Sequence, residues 1–109
     1  MNNLRNRVQL IGSLGQEVEF QKLKDGQIKA TVPISTKEVY RDQKGQKIVE
    51  VHWHYLVGWG ETAEHMQVFL KKGTEVAIHG KLTHRTFEDK DGQLRYGAEV
   101  VVTEFMLLN

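Results

Sequence analysis

Residues 48–59, IVEVHWHYLVGW, constrain the fold more than any other stretch of the chain. They contain no Pro, no Asp and a single glycine, Gly58, and most of them are β-branched or aromatic. Such side chains fit a pleated surface and crowd a helix, so the stretch predicts one long strand. Side chains alternate along a strand. One face then carries Val49, Val51, Trp53, Tyr55, Val57 and Trp59, and the other Ile48, Glu50, His52, His54 and Leu56. Both tryptophans of the protein fall on the first face. Either that face is core, as apolar alternation usually means, or Trp53, Tyr55 and Trp59 form an exposed aromatic surface. Periodicity alone leaves both open.

The rest of the chain sets limits on both readings. A length of 109 residues suits one domain with a single core. Charged residues make up 27% and apolar residues 39%, as in an ordinary globular protein. The net charge of +1 does not announce a polyanion partner, although a local basic groove can sit on a near-neutral chain. Without cysteine there is no disulfide, thiolate metal site or cysteine nucleophile. No apolar run reaches membrane-spanning length, and MNNLRNRVQL lacks a signal-peptide core. A cytoplasmic protein is expected.

In order, residues 4–11 alternate as a first strand, with Leu4, Val8 and Leu10 inward and Arg5 and Arg7 outward. Gly12 and Gly15 mark a bulge or bend, and residues 18–23 resume the strand. KDGQ at 24–27 reads as a hairpin turn, and residues 28–36 as the return strand, with Pro33 at an edge or a bulge. Residues 37–47 read as a charged connection whose only aromatic is Tyr40. The long strand follows. Residues 61–72 are the one good helix, with Ala63, Met66, Phe69 and Leu70 on its apolar face. Glu61 and Glu64 begin it, Lys71 and Lys72 end it, and Gly73 is the expected cap. Residues 76–87 form another long strand, KDGQ recurs at 90–93, and residues 94–108 form the last strand. Five strands, the first bent, with a helix between the third and fourth, predict an all-β OB-fold, a small Greek-key barrel. Barrels of this kind bind oligonucleotides on a face built largely from the second and third strands, which favours the exposed reading of Trp53 and Trp59.

Ordered short motifs then carry a resemblance over nearly the whole chain. They are Asn6-Arg-Val8, Gly12-Ser-Leu-Gly15, TKEVYRD at 36–42, Trp53-His54, Trp59-Gly60, Ala63-Glu64, Leu70-Lys-Lys-Gly73, Gly80-Lys-Leu82 and DGQLRYGAEVVV at 91–102. Together they resemble the bacterial-type single-stranded DNA-binding proteins. The resemblance implies a single DNA-binding domain over 1–109 that binds single-stranded DNA without marked sequence preference, in replication, repair and recombination. The implied base-stacking positions are Tyr40, Trp53, Trp59 and Phe87. The family often has Trp at the positions of Tyr40 and Phe87, and Phe at that of Trp59, and any of these supplies a flat π-face. Candidate phosphate contacts are Arg5, Arg7, Arg41, Lys44, Lys47, Lys72 and Arg85. Each has a bland alternative as a solvated surface charge.

The resemblance also implies a homotetramer, with a dimer as the alternative, and puts His54 at a subunit contact. Nucleoid association follows from the same likeness. Two departures stand out. Glu61 occupies a position where the family commonly has lysine, and an acid there repels phosphate. The sequence stops at Asn109 without the family's flexible linker and acidic tail, so partners recruited through a tail are not expected.

Other classes fit less well. His52 and His54 share a strand face, but no tight spacing supplies further ligands from His65, His79 or His84, so no metal or cofactor is expected. No nucleophile motif, paired carboxylates or nucleotide loop points to an enzyme. Two alternatives stay open: a replication-restart accessory protein resembling primosomal protein B, and a structural oligomerisation module without nucleic acid, in which the tryptophans would be buried.

Overall fold

The computed structural model describes residues 4–108. The polar start expected at residues 1–3 and the chain end at Asn109 lie outside them. The elements run β1 (Val8–Leu14), β2 (Glu19–Lys22), β3 (Ile28–Arg41), β4 (Lys47–Trp59), α1 (Gly60–Phe69), β5 (Glu75–Glu88) and β6 (Leu94–Leu107). The sheet order is β1-β5-β6-β4-β3-β2, and β1 also pairs with β3, which closes a five-stranded barrel. β2 continues β1 beyond the bend, so the expected third and fourth strands are β4 and β5, and α1 lies between them as predicted. A short parallel pairing of β4 with β6, Leu56 with Val100 and Val57 with Val101, completes the Greek key.

Alternation builds the core. Val32, Ile34, Leu56, Val76, Ile78, Val100 and Val102 all point into the barrel and are buried. A fully buried Leu or Ile side chain contributes roughly 1.5–3 kcal/mol relative to exposure. α1 covers one end through Ala63 and Met66, both fully buried. Met66 packs where β4 has only Gly58, and a Cβ there would strike its sulfur.

Four expectations change. The first strand starts at Val8, and Leu4 is exposed, because Asn6 fastens this segment by side chain instead of by ladder. Its Nδ2 donates to the Leu82 carbonyl (2.9 Å) and its Oδ1 accepts from the Leu82 N–H (2.8 Å). Pro33 lies inside β3 and not at an edge. Its carbonyl accepts from the Gly15 N–H (3.2 Å), so its missing N–H faces the gap between the β2 pairing, which stops at Thr31, and the β1 pairing, which starts at Ile34. Residues 37–41 are strand, laddered to β4 as far as Arg41–Lys47.

The helix is the fourth. It stops at Phe69, and Leu70 turns extended (φ −95°, ψ 121°) and drops into the core. Leu70 takes the place expected for Phe69, whose exposed ring meets His65 edge-on at 6.3 Å. Lys71 and Lys72 lie past the helix end, and Gly73 (φ +85°) turns the chain towards β5.

Three turns share one design. In residues 23–27, 42–46 and 89–93 the fourth residue is a glycine with φ of +89°, +80° and +77°. Its N–H bonds back to the first residue's carbonyl at 3.0–3.1 Å. This is the type I turn with a left-handed glycine that joins twisted strands. The last two turns carry the β3–β4 and β5–β6 hairpins as long arms. Among the described residues no helix is long and apolar enough to cross a membrane.

Candidate nucleic-acid interface

The ladder between β3 and β4 sorts the candidate residues by face. Ser35 pairs with Trp53, Lys37 with Val51, Arg41 with Lys47 and Lys29 with Trp59. Directly paired side chains share a face, so Trp53, Tyr55 and Trp59 look outward together with Lys29, Lys37, Arg41 and Lys47. Trp53 is 61% exposed and Trp59 40%. The core reading of this face holds only at Val57, which is fully buried. Gly15 makes the seat for Trp53. A Cβ on Gly15 would come within 2.6–2.7 Å of two indole carbons, so the bend expected there is also a close approach.

The outward face continues onto the second hairpin. Arg85 pairs with Gly97 across β5 and β6. With no side chain at Gly97, the guanidinium lies across β6, 4.5 Å from the Tyr55 ring centroid on β4 and 5.2 Å from that of Phe87. Such contacts are worth about 0.5–1 kcal/mol at exposed sites. Arg85 also stands 3.9 Å from Glu99. Phe87 is 42% exposed. Trp53, Tyr55, Trp59, Arg85 and Phe87 therefore form one surface spanning both hairpins.

This arrangement is matched by sequence. The chain fits the sequence model of the Single-strand binding protein family over residues 5–108. It belongs to that family. Among its relatives is Single-stranded DNA-binding protein 1 of Xylella fastidiosa (strain 9a5c), 36% identical over 104 residues, covering 94% of this chain and 76% of that protein. Single-stranded DNA-binding protein 1 of Chlorobaculum tepidum is also 36% identical over 104 residues, covering 94% of this chain and 64% of that protein. A solved complex of the Plasmodium falciparum SSB with ssDNA superposes with a TM-score of 0.86 at 26% identity over all of both chains. A deletion mutant of the single-stranded DNA binding protein from Thermus aquaticus shares the fold, with a TM-score of 0.82 at 22% identity over 95% of this chain and 50% of that one.

Not every candidate named from the sequence joins this surface. Tyr40 pairs with Ile48 and so lies on the opposite face of the β3–β4 ribbon, with Glu38, Glu50 and His52. Lys44 is exposed in the turn, and the Arg41 guanidinium donates to the Gly45 carbonyl at 2.9 Å. Arg5 and Arg7 flank Asn6 along β5, and Arg7 Nε donates to His79 Nε2 at 2.8 Å. Lys72 is exposed beside Gly73, whose N–H bonds the Leu14 carbonyl just before the Trp53 seat. His54 is half-buried on the inner face, 2.9 Å from Thr36 Oγ1. Leu56, two residues on along the same face, is fully buried in the barrel and offers no surface to a second copy. Sequence reasoning missed Lys29, Lys37 and Gly97 as parts of the outward face. Their odd spacing along a strand was visible, but the register that sets them beside the aromatics was not.

The Tyr40 face has its own electrostatics. The Tyr40 hydroxyl donates to Glu50 Oε1 (2.6 Å), and His52 Nε2 stands 3.3 Å from Oε2. The tyrosine bond, then the histidine, holds the Glu50 carboxyl below its ordinary range, and the same bond pushes Tyr40 up. A depressed carboxylate stabilises the fold above its unfolded pKa, and that part is lost as pH falls through the folded value. A raised tyrosine contributes below its unfolded pKa and is lost as pH rises through the folded one. Tyr40→Phe is expected to raise the Glu50 midpoint in an NMR titration. An unmoved midpoint would exclude the hydroxyl as its cause.

Proposed function

We propose that this protein binds single-stranded DNA without marked sequence preference and protects it during replication, repair and recombination. Bases stack on Trp53, Trp59 and Phe87, and the cations of the same face meet the phosphates. One observation carries the reading: the exposed aromatics share their face of the β3–β4 ribbon with Lys29, Lys37, Arg41 and Lys47, while Glu38 and Glu50 fall on the other. A π-surface lined with positive charge suits a polyanion of stacked bases, and stacking tolerates any base sequence. Membership of the family, relatives named for single-stranded DNA, and the ssDNA complex of the Plasmodium protein support it. Exposed tryptophans remove the main argument for a purely structural module.

Arg85 extends the phosphate-binding line to the second hairpin, and Arg5, Arg7, Lys44 and Lys72 supply further charge around it. Tyr40 contributes from the far face of the arm. The protein works by binding, with no catalytic step, in the cytoplasm and as a homo-oligomer, four copies with His54 at a contact. Titration with oligo-dT, followed by tryptophan emission, tests the reading. Strong saturable quenching is expected with oligo-dT and mixed-sequence single strands, and little with duplex of the same length. Emission indifferent to single strands would refute it.

A further inference from the structure

At one corner of the outward face three strands bring their side chains into one row. Trp59 on β4 pairs with Lys29 on β3, and Lys29 pairs with Gln21 on β2. The Lys29 ammonium stands 5.5 Å from the centroid of the Trp59 ring. Among the described residues it has no ion pair, so no carboxylate of theirs neutralises its charge. Beside the row opens a groove of about 370 Å³ walled by Gly26, Gln27, Ile28, Trp59 and Gly60. Glu61 sits in the first turn of α1, 3.9 Å from His65, and does not line the groove.

We propose that Lys29 is a phosphate-binding residue at Trp59, and that it draws the DNA strand across β3 towards Gln21, away from Glu61. The proposal rests on the single-stranded DNA reading above. In the free protein the ammonium covers the indole by cation–π attraction. A base stacking on Trp59 displaces it, and the flexible four-carbon stem carries the charge to the phosphate that arrives with the base. The ring and the cation thus act as one nucleotide site, with the π-face for the base and the ammonium for its phosphate. A strand leaving the other way, over the start of α1, would bring its phosphates against Glu61.

The test compares the salt dependence of oligo-dT binding in the full chain and three variants. Lys29→Met keeps the stem on the ring and removes the charge. Its plot of log K against log [salt] is expected to be shallower by about 0.7, the value of one phosphate contact to a single strand. The same exponent gives a loss of roughly fivefold to tenfold at about 50 mM salt, shrinking as salt approaches about 1 M. Lys29→Arg is expected to keep the unaltered slope, and Glu61→Gln to change affinity by less than about twofold, since no phosphate contact passes to it. A Lys29→Met slope equal to that of the unaltered protein overturns the proposal. So does a gain from Glu61→Gln as large as the loss from Lys29→Met. Binding by the unaltered protein keeps such a failure separate from failure of the DNA reading. If the unaltered protein does not bind oligo-dT, both fall.

Discussion

Trp53→Ala is expected to weaken oligo-dT binding roughly tenfold to a hundredfold, because each stacked base is worth about 1–3 kcal/mol. The fold should scarcely register the change. Trp53 is 61% exposed, so truncation leaves no internal cavity, and its ring lies over the bare backbone of Gly15. A buried tryptophan would behave in the opposite way, losing about 3–5 kcal/mol of stability on truncation while the folded fraction kept its affinity. Urea unfolding and oligo-dT titration of the same sample separate the two. Large destabilisation with normal affinity would remove Trp53 from the binding surface. Phe87→Ala should follow Trp53→Ala in direction. Tyr40→Ala should have the smaller effect, since Tyr40 is on the ribbon face that carries Glu38 and Glu50.

The parts of this surface legible in the sequence are those that depend on one strand at a time. Alternation within residues 48–59 put Trp53, Tyr55 and Trp59 on one face, and the ladder keeps them there, because period two is a local property of an extended chain. The resemblance to a family supplied Phe87, which no periodicity connects to β4. Register was not legible. Which residue of β3 stands beside Trp59, and on which face Tyr40 emerges, depend on a pairing between segments whose offset the turn at 42–46 determines. The helix shows the same limit on a smaller scale. Phe69 and Leu70 are adjacent and both fit an apolar stripe of period 3.6. Which one enters the core depends on where α1 stops, and it stops at Phe69.

Glycines mark a second boundary of legibility. The sequence predicts a bulge or bend at Gly12 and Gly15, but β1 runs straight through Gly12 to Leu14 and the bend comes only at Gly15; what approaches the two glycines was not legible. In the barrel Gly12 is buried at the seam where β1 meets β3, and Gly15 lies under the Trp53 ring. Both positions are small because something from a distant part of the chain lies against them. Neither has a positive φ.

Gly12→Ala is expected to cost about 3 kcal/mol, the upper end of overpacking effects. The added Cβ would overlap the Ser35 carbonyl oxygen and stand 3.0 Å from its carbon. Both are backbone atoms of β3, which is laddered to β4 from Lys29 to Arg41 and has no room to step aside. β1 must then move off β3. Among the described residues the ladder across this seam is short, Ser13–Ser35 and Leu14–Ile34 with the bond from Gly15 N–H to the Pro33 carbonyl, so it opens readily. Opening it exposes Leu14 and Ile34, both buried in the closed barrel. In a domain this size the loss corresponds to roughly 10–20 °C in Tm. Gly45→Ala is the control. Nothing lies within 4 Å of the position, but φ is +80°, so the cost there is backbone strain alone, about 1 kcal/mol. Melts must be compared at one protein concentration, because association shifts Tm by mass action. A Gly12→Ala protein no less stable than Gly45→Ala would mean that the barrel does not close through this contact.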